Sequence, residues 1–270
     1  MEETTNGRVL STTETSLRVI ETLGRLDGGR VTEVAEALDL APSTVHAHLS
    51  TLERNRYLVK RGDEYRLGLR FLNLGEFVRQ SHEHYALARA AVEQLAEETG
   101  GRTHFIVEEH GQGVYLAIAS GPQAIDTYSR EGKRLWLHQS AGGKAILAAL
   151  PDERVRAVVD RWGLAGRTEN SITDVEALFD CLERVRERDG IAFNEGEQTD
   201  GIRAVGAPVR GPDGAVVGAL SVSGPAHRLK GDYYRSELPD TILGTANELE
   251  LRIKLEADGT ASTAPSLDPG

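Results

Sequence analysis

Between residues 31 and 67 the alternation of apolar and polar positions passes from a helical repeat, broken once, to a strand-like one. Val31 to Leu38 reads as a short helix, with Thr32 placed to cap it and Glu33 and Glu36 placed early in it, where acids favour the helix dipole. Asp39 to Pro42 break the repeat. Ser43 reads as the N-cap of a second helix, Thr44 to Asn55, on which Val45, Leu49 and Leu52 form one apolar stripe. The face opposite that stripe carries Ser43, His46, Ala47, Ser50 and Arg54, with Thr44, His48 and Thr51 on its flanks. Tyr57 to Val59 and Tyr65 to Leu67 are β-prone runs around a turn at Gly62-Asp63, which predicts a hairpin. Helix, tight turn, helix and hairpin make a winged helix-turn-helix, whose second helix reads a DNA major groove.

The same pattern divides the rest of the chain. Residues 1–12 are polar and aperiodic, and read as a loose arm. Leu17, Ile20 and Leu23 place a helix over Thr15 to Leu26, so the DNA-binding domain spans 13–70. Phe71 to His82 reads as a linker helix, with an apolar surface suited either to pairing with a second copy or to packing on its own domain. Residues 83–256 predict an α+β domain with an antiparallel sheet. Its helices fall at Tyr85–Thr99, Ala141–Leu150, Glu153–Trp162, Val175–Arg188 and Arg235–Leu255. Its strands fall at Thr103–Glu108, Val114–Ala119, Ile191–Phe193, Arg203–Val209 and Val216–Ser223. Residues 257–270, small and proline-bearing, read as a disordered tail.

Charge sharpens the first domain. The chain carries 42 acids against 31 bases, a formal charge of −11, which by itself argues against nucleic acid. Between Arg54 and Arg70, however, Arg54, Arg56, Lys60, Arg61, Arg66 and Arg70 face only Asp63 and Glu64, a local excess of the kind phosphates need. The acid excess and the scarcity of lysine suit a salt-rich cytoplasm and predict a halophilic source, such as a haloarchaeon. No apolar run approaches a membrane span and no signal peptide is visible, so a cytoplasmic protein without membrane contact is expected.

Enzyme chemistry finds little support. Cys181, the single cysteine, makes neither an internal disulfide nor a thiolate metal site. Ala141 to Ala145 is glycine-rich, but it lacks the leading glycine and the Ser or Thr of a phosphate-binding loop. His82 and His84 are two residues apart and diverge on a helix, so no metal or other cofactor is expected.

Leu137-His138-Gln139-Ser140-Ala141-Gly142-Gly143-Lys144-Ala145, Ala207-Pro208-Val209 and the run Gly218 to Pro225 follow the winged domain in an order that resembles the IclR family of transcriptional regulators. Ser43-Thr44-Val45-His46 is similar to the opening of that family's recognition helix. The resemblance covers about 13–255. It implies a GAF-like C-terminal domain that binds a small organic, sugar or aromatic acid and thereby modulates the binding of a homodimer or tetramer to a double-stranded operator. By position it assigns effector contacts to Leu135, Ala141, Gly142, Asn194, Ile202, Ala204, Ser221 and Ser223; the helix face and basic hairpin described above give the expected DNA contacts, Ser43, Thr44, His46, Ala47, Ser50, Arg54, Arg56, Lys60 and Arg61. Asn194, Ala204 and Ala47 stand where many relatives carry an acid, a cysteine and an arginine, so neither the effector nor the operator sequence transfers. The other readings are a factor that binds DNA constitutively and an enzyme or carrier that uses the helix-turn-helix to hold a partner.

The composition makes one prediction of its own. Dialysis from molar to millimolar salt should unfold the protein, followed by circular dichroism; a full native spectrum in dilute buffer would remove the halophilic assignment.

Overall fold

Val19 and Leu23 of a first helix, Val34, Ala35 and Leu38 of a second and Val45 and Leu49 of a third meet Leu58 and Tyr65 in one buried cluster. The computed structural model in which they do so describes residues 9–82, 84–125 and 129–259. The elements around this cluster are α1 (Ser11–Leu26), β1 (Gly29–Arg30), α2 (Val31–Leu38), α3 (Pro42–Arg54), β2 (Leu58–Arg61) and β3 (Glu64–Leu67), followed by α4 (Arg70–Ser81). Within the arm expected over 1–12, α1 already begins at Ser11, and residues 1–8 lie outside the described residues.

Two capping assignments are corrected. Thr32 lies inside α2; the N-cap is Arg30, whose backbone N–H donates to Glu33 Oε2 at 2.6 Å. Ser43 lies inside α3, which starts at Pro42 with Ala41 as N-cap. Proline is preorganised for the first helical position, where its missing N–H leaves no bond unmade, so the helix begins two residues earlier than a Ser43 cap would place it. The hairpin turns at Gly62-Asp63 with Arg61 opposite Glu64, and Gly62 takes the left-handed φ of +61° that this turn requires. A third strand joins it, β1 on β3, with Gly29 opposite Tyr65. Two residues carry no legible period, which is why the sequence does not announce it.

The chain divides into two units near residue 80. In the second, α5 (Tyr85–Thr99), β4 (Arg102–Glu109), β5 (Gln112–Ser120), β6 (Arg134–Leu135), α6 (Ala141–Ala149), α7 (Asp152–Trp162), α8 (Val175–Arg186), β7 (Ala192–Glu195), β8 (Ile202–Arg210), β9 (Val216–Pro225) and α9 (Leu238–Gly259) follow in order. All six strands pair antiparallel in the order β6-β5-β4-β9-β8-β7. The final helix starts three residues later than expected, because Tyr233–Glu237 form a π-helical turn before it. Residues 260–270 of the expected tail, and Glu83 between His82 and His84, lie outside the described residues.

Alternation along the strands sorts the sheet into two faces. Phe105, Val205, Ala207, Leu220 and Val222 pack with Val92 and Leu95 of α5 and Ile242, Ala246 and Leu249 of α9. Ile106 and Ala219, on the other face, pack with Ala145 and Ile146 of α6 and Leu178 and Leu182 of α8. That second face is where α6 comes closest to the sheet: a Cβ on Gly206 of β8 would lie 2.6 Å from the Gly142 nitrogen.

One polar group is out of place in this core. Thr103 is fully buried on β4 opposite Val222, and among the described residues its hydroxyl has no hydrogen-bond partner. Thr103→Val keeps the shape and removes the unsatisfied group, so it should stabilise the domain by about 1 kcal/mol, read as a higher urea midpoint. A lower midpoint would mean that the hydroxyl is satisfied.

Candidate functional site

Two sites follow from this architecture, one in each unit. In the first, Val45 and Leu49 bury one side of α3, with Leu52 half-buried beside them. The opposite side is left to solvent: Ser43, Thr44, His46, Ala47 and Arg54 are exposed and Ser50 is half-buried. His48, on the flank, is tied to the domain through Ser16, with Oγ 2.8 Å from its Nδ1. Arg56, Lys60 and Arg61 are all exposed, Arg56 at a left-handed φ of +64° and Lys60 with its ammonium 5.1 Å from the Tyr65 ring centre. All nine residues expected to meet DNA therefore sit on α3, on the connection to the wing or on the wing itself, with no core side chain among them.

The second site lies on the α6 side of the sheet. Under most of α6 the strand side chains are apolar or absent; at and past its first turn the same face carries His104 on β4, Ala204 on β8 and Ser221 and Ser223 on β9. Register pairs His104 with Ser221 and Ala204 with Ser223. These residues floor a pocket of about 480 Å³, mouth included, whose walls are Ile106, Tyr115, Ser140, Ala141, Asn194, Gln198, Thr199 and Ile202.

Six of the eight positions expected to contact an effector line this pocket: Ala141, Asn194, Ile202, Ala204, Ser221 and Ser223. Leu135 and Gly142 do not. Leu135 is buried in β6 beside Gly113, and Gly142 packs over Ile106 and Ser221, where a Cβ would come within 2.8 Å of Ile106 Cδ1. Gly142 thus serves close packing on the sheet, and Gly143 close packing on the turn at Leu137. The helix cap is Ser140, whose Oγ accepts from Gly143 N at 3.0 Å. Asn194, one of the six, has a second set of partners: its amide nitrogen donates to the Gln139 carbonyl, while its Oδ1 accepts from Gly196 N at 3.0 Å and Glu197 N at 3.2 Å. Its side chain shapes the loop after β7 as well as bordering the pocket.

Sequence reading missed His104, Ile106, Tyr115, Ser140, Gln198 and Thr199. Of these, Ser140 had a signal in the motif before α6; the others sit in plain strand runs or a loop and are gathered only by strand pairing.

No lysine, arginine, aspartate or glutamate is among the lining residues. His104 is neutral as well. Burial first, and the nearby Arg102 charge second, push its imidazole down to about 3, against a weaker upward pull from the Ser221 backbone. Arg102 itself is engaged outside the lining, donating to Ser129 Oγ at 2.7 Å and Ser120 Oγ at 3.1 Å. The His104 ring stands 4.9 Å from that of Tyr115, whose phenol burial shifts the other way, upward, so that it too stays neutral. The result is a chamber with one aromatic wall and several neutral hydroxyl and amide groups, able to accept a small polar molecule through hydrogen bonds rather than ion pairs.

A winged helix-turn-helix joined to a sheet domain with a small polar pocket defines a one-chain DNA-binding regulator. Comparison with known proteins agrees. The IclR helix-turn-helix domain model matches residues 12–62, and the bacterial transcriptional regulator IclR C-terminal model matches 77–251. The chain belongs to the IclR family of transcriptional regulators and is not an enzyme. It is 31% identical over 260 residues to the probable HTH-type transcriptional regulator ArcR of Halobacterium salinarum, covering 94% of this chain and 98% of that protein. It is also 31% identical to the regulator XynR of Escherichia coli, over 72% of this chain and 77% of that one. The crystal structure of Thermotoga maritima IclR matches with a TM-score of 0.75 and 26% identity, over 90% of this chain and 99% of that chain. An IclR homologue from Microbacterium hydrocarbonoxydans, solved in complex with 4-hydroxybenzoate, shares the fold at a TM-score of 0.77 and 22% identity, over 91% and 100% of the two chains.

The His104 environment makes a prediction about acid. Unfolding returns the imidazole to an ordinary value near 6.5, so the unfolded chain binds a proton that the folded one refuses between there and about 3. Stability linked to this residue is complete above pH 6.5 and is lost as pH falls through that window. Wild type should lose about 1.4 kcal/mol per pH unit more than His104→Gln between pH 6 and pH 4, measured by denaturant titration. Parallel losses would place the ring in water.

Proposed function

We propose that α3 and the β2–β3 wing bind an operator, and that a small organic acid in the pocket of the second unit controls that binding. The carrying observation is the pairing of an exposed polar α3 face and a basic wing with an uncharged, hydrogen-bonding pocket in a chain of this family. Ser43, Thr44, His46, Ala47 and Ser50 face the base edges, while Arg54, Arg56, Lys60 and Arg61 meet phosphates. In the pocket, Ser140, Thr199, Ser221 and Ser223 are the hydroxyls that hold the acid, and the His104–Tyr115 wall favours a planar one. The 4-hydroxybenzoate in the Microbacterium homologue supports that class.

The working form is a homodimer or tetramer acting in the cytoplasm, where its operator lies. None of the side chains of α4 is buried within this chain, and Leu72 and Val78 are 67% and 66% exposed, so α4 is the face offered to a second copy. The acid excess and the likeness to a Halobacterium protein support a salt-rich cytoplasm.

Two experiments test this reading. Retention of the chain's own upstream region should weaken for all sequences in Lys60→Ala/Arg61→Ala, with the slope of log affinity against log salt reduced by about 2. His46→Ala should instead cost about 1–3 kcal/mol at particular base pairs. Failure of wild type to retain any genomic fragment, in salt where it is folded, rejects the operator assignment. In a thermal-shift panel of pyruvate, gluconate and 4-hydroxybenzoate in molar salt, a ligand at a hundred times its Kd adds about 2.7 kcal/mol of stability. Ser221→Ala should abolish that shift. A panel without response, or a shift indifferent to Ser221, rejects the assigned pocket.

A further inference from the structure

The outer wall of the pocket is a loop, and the loop has an unusual anchor. Residues 196–201 connect β7 to β8 and bring Gln198 and Thr199 into the lining. With Gly196 at φ +86° and Gly201 at φ +73°, the segment has little intrinsic preference for one path. What holds it is the residue before Gln198. Both carboxylate oxygens of Glu197 lie 2.5 Å from Nζ of Lys144, near the middle of α6, and Lys144 is 1% exposed. Around the pair, Ser171 donates to the Glu197 carbonyl at 2.7 Å and Thr168 to that of Gly196 at 2.7 Å.

Stability alone does not account for two charges in this position. Moving them out of water costs about as much as their attraction returns, and an apolar pair of similar volume often does as well or better. A directional contact with two oxygens on one ammonium instead fixes a distance. Lys144 belongs to the helix whose first turn supplies Ser140 and Ala141 to one side of the pocket; Glu197 adjoins the loop residues that supply the other side. Neither Lys144 nor Glu197 is itself a lining residue of this pocket.

We propose that the Lys144–Glu197 pair is the strut that holds the loop wall of the pocket against its helix wall. The two are positioning residues: they set how tightly a ligand is enclosed without touching it. Only that consequence for affinity rests on the pocket being the effector site.

The test is hydrogen exchange by mass spectrometry on the full chain. Lys144→Met/Glu197→Met removes both charges at similar volume, and Glu197→Gln keeps the size and an acceptor for the ammonium. In the double variant, peptides covering residues 195–202, which hold the Gly196 and Glu197 amides bonded to Asn194, should exchange at least tenfold faster, with α6, β8 and α9 unchanged. Glu197→Gln should give a smaller acceleration in the same peptides, and it decides the matter if the double variant does not fold. Unchanged exchange at 195–202, or acceleration spread evenly over α6, β8 and α9, overturns the proposal, the second because it marks plain core stability. Thermal shifts with 4-hydroxybenzoate on the same samples form a separate arm. A wild type that ignores every acid in the panel removes the effector reading and leaves the exchange result to decide the strut.

Discussion

The start of α6 lies directly on β8 because neither backbone carries a side chain at the contact. A Cβ on Gly206 would come within 2.6 Å of the Gly142 nitrogen and 2.8 Å of the Ala141 carbonyl carbon. These are backbone atoms that no rotamer change can move aside, so any larger residue would lift the helix from the sheet. At the depth the glycines permit, Ser140 and Ala141 border the strand face, Ala219 is sealed beneath the helix, Ile106 packs under it at the pocket wall, and Lys144 is carried into the interior. The pocket, its floor and its buried cation all depend on that one approach.

The chemistry of the pocket follows from where the cover ends. One face of the sheet packs against α5 and α9 through a largely apolar core, with the Thr103 hydroxyl buried in it and Arg203 opposite Glu195 at one end. The other is closed by α6 only in part, and the strand positions at and past its first turn are His104, Ser221, Ser223 and Ala204. A low-polarity surround keeps the imidazole neutral, and the nearest guanidinium is engaged by two serines at the edge. Recognition at this site is therefore a matter of hydrogen-bond geometry and enclosure, since a charge brought in meets no opposite side chain in the lining.

In the DNA-binding unit the division of labour runs across single elements. A nine-residue apolar cluster holds three helices and a three-stranded sheet. The residues left over on α3 are short and polar, and those on the wing are basic. In a chain with eleven more negative than positive charges, concentrating cations on this surface lets one patch attract phosphate while the rest of the molecule repels it.

Much of this is legible in the sequence. The stripe of Val45, Leu49 and Leu52 and the turn at Gly62-Asp63 are local patterns, and local patterns report which face of a helix is buried and where a hairpin closes. The linker helix, the long strands β8 and β9 and the helix from Val175 were legible for the same reason. Six of the pocket residues were reached through a family resemblance, not through any period in the chain. β1 escaped notice because two residues have no period; the cap of α3 was misplaced because proline outranks serine at a helix start. His104, Tyr115, Gln198 and Thr199 come together from segments up to 95 residues apart. The sequence by itself determined the elements, the two units and the location of charge, since these depend on neighbours along the chain. Which strand positions share a face with α6, which of them remain uncovered, and which carboxylate Lys144 meets were decided only by tertiary structure, because register and close packing are properties of partners distant in sequence.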